Sequence, residues 1–177
     1  QNGKYFFLGF ANVINAARKC PKFIIGRVQG KAVGGGVGML SATDYCLATK
    51  YSSVKLSELA IGIGPFVVGP AVDRKIGKSA FSAMTINANK WFEANWAKEK
   101  GFFIDVFDNI IDMDNAIKEL AIRLTTYNPE AIKELKAIMW QGTDDWDILL
   151  SERAAKSGKL VLSDFTQNAI LEFKQAK

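Results

Sequence analysis

A run of three glycines is the first feature of the sequence that could perform chemistry. Gly34, Gly35 and Gly36 follow a strand-like apolar run and a turn, and helix-like residues come after them. Glycine lets the backbone approach a ligand closely and adopt positive φ. The free N–H groups and the dipole at the start of a helix favour negative charge. The turn could therefore bind a phosphate or stabilise an oxyanion on a carbonyl, although close packing of helix against strand explains the glycines equally well.

The phosphate interpretation needs further residues that the sequence does not supply. A P-loop continues with Gly-Lys-Ser/Thr, whereas this turn continues with Val37-Gly38-Met39. A dinucleotide-binding fold has the pattern Gly-x-Gly-x-x-Gly, which residues 34–38 fit poorly. A nucleotide-binding α/β domain is therefore a distant alternative, and the turn is left with an oxyanion role or a packing role.

Glu58 is the second candidate for chemistry. It follows a short strand-like run and opens the apolar, glycine-rich stretch 59–66. A carboxylate in such surroundings loses solvation, so its pKa should rise toward neutrality, as a general acid/base requires. Taken alone, such a glutamate is more often a helix cap or a solvated edge.

The composition excludes several other kinds of site. The chain has 0 histidines, so it contains neither a Ser-His-Asp or Cys-His nucleophile nor a His-Glu-x-x-His zinc site. Cys20 and Cys46 form no Cys-x-x-Cys pair, which argues against a metal or redox centre. They are typical of buried thiols in a reducing compartment. Proton transfer at neutral pH therefore falls to Glu, Asp, Lys, Tyr or Cys.

The distribution of charge and of apolar residues bears on partners. The net charge of +5 comes from 23 basic and 18 acidic residues spread along the chain, without the clustered basic face typical of nucleic-acid-binding proteins. The apolar tracts are shorter than the roughly 20 residues that a membrane-spanning helix needs, and no signal-peptide pattern opens the chain. We therefore expect a cytoplasmic protein without a nucleic-acid or membrane partner.

The elements that must position these residues follow from hydrophobic periodicity. Strands alternate with helices to about residue 110, as in an α/β layer, and only helices follow. We therefore predict one region over residues 1–110 and a helical region over residues 111–177. Helices are predicted at 5–20, 37–42, 72–76, 79–84, 95–100, 115–126, 129–140, 146–157 and 164–175, strands at 23–28, 45–48, 54–56 and 102–107, and a loop at 60–69.

The stretch from Pro21 to Gly77 resembles the enoyl-CoA hydratase/isomerase (crotonase) superfamily. The matching residues are Lys22-Phe23-Ile24-Ile25-Gly26-Arg27-Val28-Gln29-Gly30, Ala32-Val33-Gly34-Gly35-Gly36, Thr43-Asp44, Val54-Lys55-Leu56-Ser57-Glu58, Leu59-Ala60-Ile61-Gly62 and Ile76-Gly77. Further on, Trp96-Ala97 and Gly101-Phe102-Phe103 are similar to the family's helix–glycine–strand segment.

The resemblance implies an α/β fold in which ββα units form a spiral core, followed by a helical oligomerisation layer that assembles homotrimers or dimers of trimers. It implies an acyl-CoA substrate, with coenzyme A as part of the thioester and no tightly bound cofactor. The family's N-terminal strands, with one of its two N–H donors to the thioester carbonyl, would precede Gln1. Residues 1–110 would then be the C-terminal portion of the acyl-CoA-binding core, and the isolated segment is expected to be inactive or misfolded.

The resemblance also assigns roles to individual residues. Gly35 falls on the glycine whose N–H stabilises the enolate oxyanion. Glu58 falls on the second acid of the hydratases and on the single acid of the enoyl-CoA isomerases. Asp44 falls on a structural position without chemistry. Substrate-binding positions are expected at Gly34, Gly36, Gly38, Pro65 and Phe66.

One position departs from the hydratase pattern. The first hydratase carboxylate would fall on Gly38, which leaves Glu58 alone. One carboxylate can still deprotonate water for attack at Cβ and return the proton to Cα, or shuttle a proton between two carbons. We therefore expect an enoyl-CoA hydratase, with a Δ3,Δ2-enoyl-CoA isomerase or a catalytically silent acyl-CoA-binding protein as alternatives. Residues 57–68 look most like a bacterial subgroup associated with methylglutaconyl-type enoyl-CoA in leucine breakdown.

Overall fold

The computed structural model describes the backbone of residues 2–175 and the side chains of residues 3–175. Residue 1 and residues 176–177, which end the two predicted regions, lie outside the described residues. The elements are α1 (Asn2–Lys19), β1 (Ile25–Val28), β2 (Lys31–Val33), α2 (Gly35–Ser41), β3 (Tyr45–Thr49), β4 (Ser53–Lys55), a 3-10 helix (Glu58–Ile61), α3 (Gly69–Ile86), β5 (Phe92–Glu93), α4 (Ala94–Glu99), β6 (Asp105–Phe107), α5 (Ile110–Thr125), α6 (Pro129–Met139), α7 (Trp146–Leu160) and α8 (Asp164–Gln175).

The strands form two small sheets that share successive units of the chain. β1, β3 and β6 form the first sheet in that order, and β2, β4 and β5 form the second. The pairs β1–β3, β3–β6 and β2–β4 are parallel, whereas β5 is antiparallel to β4. In each of the units β1-β2-α2 and β3-β4-α3, the first strand joins the first sheet and the second strand joins the second sheet. The chain therefore advances as a spiral. This is the ββα arrangement that the resemblance implies.

Local sequence explains where several helices begin and end. α1 ends at Lys19, two residues before Pro21, because the residue before a proline is disfavoured in a helix. α6 begins with Pro129, and the Asn128 side chain caps it by accepting the N–H of Glu130 over 2.9 Å. Proline at a first helical position and asparagine at an N-cap are both favoured, so these boundaries agree with the sequence.

The helix α1 connects the spiral core to the C-terminal helices. It packs chiefly against α7, and two glycines bring the backbones together. A Cβ built on Gly158 would lie 2.5 Å from the backbone nitrogen of Lys4, and one built on Gly3 would lie 2.8 Å from the Gly158 carbonyl oxygen. Any larger residue at either glycine would separate the two helices.

A buried ion pair attaches α6 to the core. The Asp44 carboxylate accepts hydrogen bonds from the Ile24 N–H over 2.8 Å, from Lys136 Nζ over 2.6 Å and from Trp140 Nε1 over 2.9 Å. The side chains of Asp44 and Lys136 are 3% and 2% exposed. Three donors therefore satisfy a carboxylate that is removed from water, which agrees with the structural role expected for Asp44.

The structure corrects the predicted elements in several places. The helix predicted at 115–126 begins earlier, at Ile110. β2 and β5 were not predicted, because strands of 3 and 2 residues are too short to show alternation. The predicted strand 102–107 is confined to Asp105–Phe107, since Phe102 and Phe103 pack in the core directly after α4. The helices predicted at 72–76 and 79–84 lie within α3, which Gly77 interrupts with φ +77°. The predicted loop 60–69 starts inside the 3-10 helix.

The helical layer predicted after residue 110 is observed as α5 to α8, as far as residue 175. Among the described residues, no helix combines the length and the apolar character needed to cross a bilayer.

Candidate active site

The pairing of β2 with β4 brings the glycine turn next to Glu58. Val33 at the end of β2 pairs with Lys55 at the end of β4. The Gly34 N–H then donates to the Lys55 carbonyl over 2.9 Å, which adds one more bond after the paired residues. Because parallel strands end at the same edge of their sheet, the turn after β2 and the segment after β4 meet there. Crevices at such edges are common binding sites in α/β proteins.

Gly34 has two reasons to be glycine. Its φ of +53° lies in the region that side chains disfavour. In addition, a Cβ built on Gly34 would lie only 3.1 Å from Glu58 Oε1. The absence of a side chain at Gly34 therefore permits the positive φ of the turn and also leaves room for the Glu58 carboxyl group.

Glu58 is the first residue of the 3-10 helix, and its carboxyl group is held away from water. The Ile63 N–H donates to the Glu58 carbonyl over 2.9 Å, which closes the turn. Its Oε2 is buried and has no hydrogen-bond partner among the described residues. Burial raises the pKa of the Glu58 carboxyl group above its usual range, opposed by a weaker hydrogen bond from the residue's own backbone. Buried polar groups are normally paired, so an unpaired acid with a raised pKa marks a candidate catalytic position.

Gly35 supplies a free backbone donor beside this acid. It is the first residue of α2, and the Gly38 N–H donates to the Gly34 carbonyl over 3.1 Å. The N–H groups before Gly38 have no partner within the helix, as is general for a first turn. Within residues 2–175, no acceptor is found for the Gly35 N–H. This donor is available to a ligand oxygen.

Gly35 and Glu58 line one small cavity of about 30 Å³. This space is large enough to hold a water molecule. The lining residues are Phe7, Phe10, Gly35, Glu58, Gly64, Pro65, Phe66, Val67, Val68 and Ser157. Glu58 and Ser157 are the lining residues with polar side chains, and a buried water requires two to four polar partners.

The structure brings together some of the predicted site residues and separates others. Pro65 and Phe66 line the cavity with Gly35 and Glu58. Gly34 lies next to the Glu58 carboxyl group but is not part of the lining. Gly36 instead lines a separate groove of about 990 Å³ between α1, β1, β2 and α2.

Gly38 is buried away from the cavity. A Cβ built on it would lie 2.2 Å from Val68 Cγ1, so the space that a side chain would need is occupied. The position that the resemblance assigns to the first hydratase carboxylate is therefore packed with an apolar neighbour. Within the described residues, Glu58 is the one carboxylate that lines the cavity.

Six lining residues were not predicted as site residues: Phe7, Phe10, Gly64, Val67, Val68 and Ser157. Phe7 and Phe10 come from α1, where their spacing indicated only the apolar face of a helix. Ser157 comes from α7, far along the chain, and nothing in the sequence around it signals that it lines the same cavity as Glu58. Among the described residues, no group of three or more His, Cys, Asp or Glu side chains could hold a metal ion.

The chain matches a known family over nearly its whole length. Residues 4–170 match the family model described as enoyl-CoA hydratase/isomerase. The chain belongs to this family. The match confirms the resemblance to the superfamily, while the methylglutaconyl subgroup stays a prediction.

Two curated relatives show the range of reactions in the family. The chain is 35% identical over 119 residues to the bacillaene synthase dehydratase PksH of Bacillus subtilis (strain 168), which covers 67% of this chain and 44% of that protein. It is 28% identical over 130 residues to the peroxisomal Delta(3,5)-Delta(2,4)-dienoyl-CoA isomerase of Arabidopsis thaliana, which covers 71% of this chain and 45% of that protein. The chain thus spans less than half the length of either relative, and their names denote different reactions.

A solved structure confirms the fold. The crystal structure of an enoyl-CoA hydratase from Mycobacterium avium superimposes with a TM-score of 0.90 at 22% identity, over 99% of this chain and 68% of that chain. The crotonase-type spiral core and its helical layer are therefore the fold of this chain.

Proposed function

We propose that the protein containing these residues is an enoyl-CoA hydratase, which adds water across the double bond of an α,β-unsaturated acyl-CoA. One observation carries the proposal: the Glu58 carboxyl group is buried without a partner for Oε2 in a cavity that Gly35 also lines. An acid whose pKa is raised toward neutrality can accept a proton and return it within one catalytic cycle. The cavity is large enough for the water that a hydratase must hold.

In the proposed reaction, Glu58 takes a proton from a water molecule while the water oxygen bonds to Cβ. The electron pair of the C=C bond forms an enolate, whose negative charge resides on the thioester oxygen. The Gly35 N–H donates to this oxygen, because a fixed donor stabilises charge that develops in the transition state. Glu58 then gives the proton to Cα, which restores both the carboxylate and the thioester carbonyl. The product has gained one water.

The remaining lining residues support this chemistry. The Ser157 hydroxyl gives the water a second polar contact beside Glu58. Pro65, Val67 and Val68 are buried apolar residues, so they exclude bulk solvent. Electrostatic interactions are stronger where water is excluded, which applies to both the carboxylate and the Gly35 donor.

A Δ3,Δ2-enoyl-CoA isomerase is the second candidate function. The observation that favours it is the packing of Val68 against Gly38, which leaves Glu58 as the carboxylate of the cavity. One carboxylate is enough to remove a proton from one carbon and return it to another. We favour the hydratase because the cavity has room for a water molecule and is lined by the polar side chains of Glu58 and Ser157, and an isomerase does not need that water.

The same proposal extends to substrate and assembly. The substrate is an acyl-CoA thioester, coenzyme A is part of it, and no cofactor is tightly bound. The protein is cytoplasmic and forms a homotrimer or a dimer of trimers through α5 to α8. Exposed apolar side chains on these helices support the assembly, among them Ile111, Ile122, Leu135 and Ile138. Sedimentation velocity of the whole natural chain should give a mass of three or six subunits.

The substitution Glu58→Gln tests the function in the whole natural chain. We expect wild-type protein to hydrate crotonyl-CoA, followed by the loss of absorbance of the conjugated double bond. The variant should lose about two to four orders of magnitude in kcat, because glutamine cannot transfer the proton. Binding of butyryl-CoA, which has no double bond, should be retained.

Glu99→Gln is the matched control, since Glu99 is exposed at the end of α4 and its variant should hydrate at the wild-type rate. Unchanged hydration by Glu58→Gln would refute the role of this residue. Double-bond migration in a 3-enoyl-CoA without hydration would establish the isomerase instead. Acyl-CoA binding without turnover of either substrate would identify a silent binding protein.

A further inference from the structure

One wall of the cavity is aromatic and comes from α1. Phe7 and Phe10 both line it. The ring of Phe10 lies directly over Gly35, because a Cβ built on that glycine would lie 2.1 Å from Phe10 Cε1. The Phe10 ring therefore covers Gly35, whose N–H donates to the thioester oxygen in the proposed reaction.

The position of these rings depends on the contact of α1 with α7. Gly3 and Gly158 let the two backbones touch, so the first half of α1 cannot approach α7 more closely. Both helices contribute to the cavity, since Ser157 is the residue before Gly158. The rings are thus presented to the cavity by a rigid helix rather than by a loop.

Val67 and Val68, which also line the cavity, have no room to move. Val67 and Val68 are 3% and 4% exposed, and Val68 fills the space in front of Gly38. On the aromatic side, Phe7 and Phe10 are only half-buried, and Phe6, with which both rings make edge contacts, is 66% exposed. The half-buried rings of the lining, Phe7, Phe10 and Phe66, therefore have room to move toward solvent. Of these rings, Phe10 is the one that lies over Gly35, whereas Phe66 lies over Gly64.

From this asymmetry we infer that Phe10, backed by Phe7, determines specificity by restricting the site to compact enoyl groups. The inference rests on the proposed function and adds the class of substrate. Because the Phe10 ring lies over Gly35, an enoyl group whose thioester oxygen reaches the Gly35 N–H displaces this ring. A longer acyl chain displaces it further, breaks its contact with Phe6 and exposes more apolar surface. That exposure is unfavourable in proportion to its area.

The experiment compares crotonyl-CoA with oct-2-enoyl-CoA in the whole natural chain. Wild-type protein should prefer crotonyl-CoA in kcat/KM by about tenfold or more, since a pocket that rejects even one methylene discriminates by about tenfold to 200-fold. Phe10→Ala removes the ring and should shift this ratio toward the longer substrate by about tenfold or more. Tyr5→Ala is the matched control, because Tyr5 is an aromatic residue of the same helix that is 68% exposed and outside the cavity. Its ratio should equal that of wild type.

A wild-type preference for oct-2-enoyl-CoA, or an unchanged ratio in Phe10→Ala, would overturn the inference. If Phe10→Ala does not fold, Phe10→Leu should shift the ratio in the same direction by a smaller factor, and no shift there would overturn it equally. Calorimetric binding of butyryl-CoA and octanoyl-CoA separates this inference from the proposed function. If wild-type protein turns over no enoyl-CoA, the proposed function is wrong. The ratio of the affinities for butyryl-CoA and octanoyl-CoA, compared between wild type and the Phe10 variants, still decides the role of Phe10. Failure to bind either ester would count against both.

Discussion

Asp44 and Glu58 are two acids whose carboxyl groups are largely buried, and their surroundings are opposite. Asp44 accepts hydrogen bonds from three donors, one of them the buried ammonium group of Lys136. Glu58 has no cation among its hydrogen-bond or ion-pair partners, and its Oε2 has no partner within the described residues. Asp44 lies between α6 and the core, whereas Glu58 lies in a cavity.

This difference distinguishes a carboxylate that stabilises the fold from one that is available for catalysis. A buried charge that is fully paired holds two elements together, and removing its partner is costly. A buried acid without a partner is not stabilised in its charged form, so its proton affinity is high and its oxygens are available to a ligand. Family membership alone would not make this distinction, because both residues fall on positions that the family resemblance marks.

The largest expected effect on stability concerns Asp44→Asn. This change leaves the Lys136 ammonium group buried without a counter-charge. We expect the free energy of unfolding to fall by about 3–5 kcal/mol, measured by urea denaturation, with kcat of the folded variant near the wild-type value.

The double variant Asp44→Asn, Lys136→Met sharpens this test. It removes both charges, so it should recover part of the lost stability. A double variant that is less stable than Asp44→Asn alone would contradict the interpretation of Asp44 and Lys136 as a mutually dependent buried pair.

An intermediate effect on the free energy of unfolding is expected from the titration of Glu58. Because the pKa of its carboxyl group is raised in the folded state, the folded protein holds this proton more tightly than the unfolded chain. The resulting stability is fully present below the ordinary pKa of glutamate and is lost as the pH rises through the raised pKa. The loss is about 1.4 kcal/mol for each unit by which the pKa is raised.

Urea denaturation of wild type and Glu58→Gln over about pH 4 to 8 measures this contribution as the difference between two curves. Wild type should lose stability relative to the variant as the pH rises, since glutamine does not titrate. Two parallel curves would show that the Glu58 carboxyl group is solvated in the folded protein.

The smallest effect is expected from an acid that is neither buried nor in a cavity. Asp108 pairs with Lys50 over 3.1 Å, with side chains that are 82% and 49% exposed. Solvent screens such a pair, so Asp108→Asn should leave the urea midpoint unchanged at low and high salt. A clear loss would show that pairing alone stabilises this protein, and it would weaken the contrast between Asp44 and Glu58.

The sequence predicted the longer elements well, and for local reasons. α6 and α8 begin where they were predicted, since Pro129 and the apolar periodicity act within a few residues. The short strands β2 and β5 and the continuation of α3 through Gly77 were not predicted. Pairing between distant segments stabilises these strands, and that pairing leaves no pattern in so few residues.

The candidate site was predicted in part. Gly35 and Glu58 carry recognisable signals, a glycine run before a helix and an acid before an apolar stretch, and the structure places both at one cavity. Phe10 and Ser157 carry no such signal, because their positions depend on the contact of α1 with α7.

The residue types by themselves determined that any general acid/base here must do without histidine, and that a glutamate in apolar surroundings would hold its proton tightly. They also determined where most helices begin and end, since caps and periodicity act over a few residues. Only the tertiary structure decided that Gly34 lies against Glu58, that Lys136 neutralises Asp44, and that Phe10 covers Gly35. Each of these contacts joins segments far apart in the chain, and strand register and helix packing determine such contacts rather than spacing in the sequence.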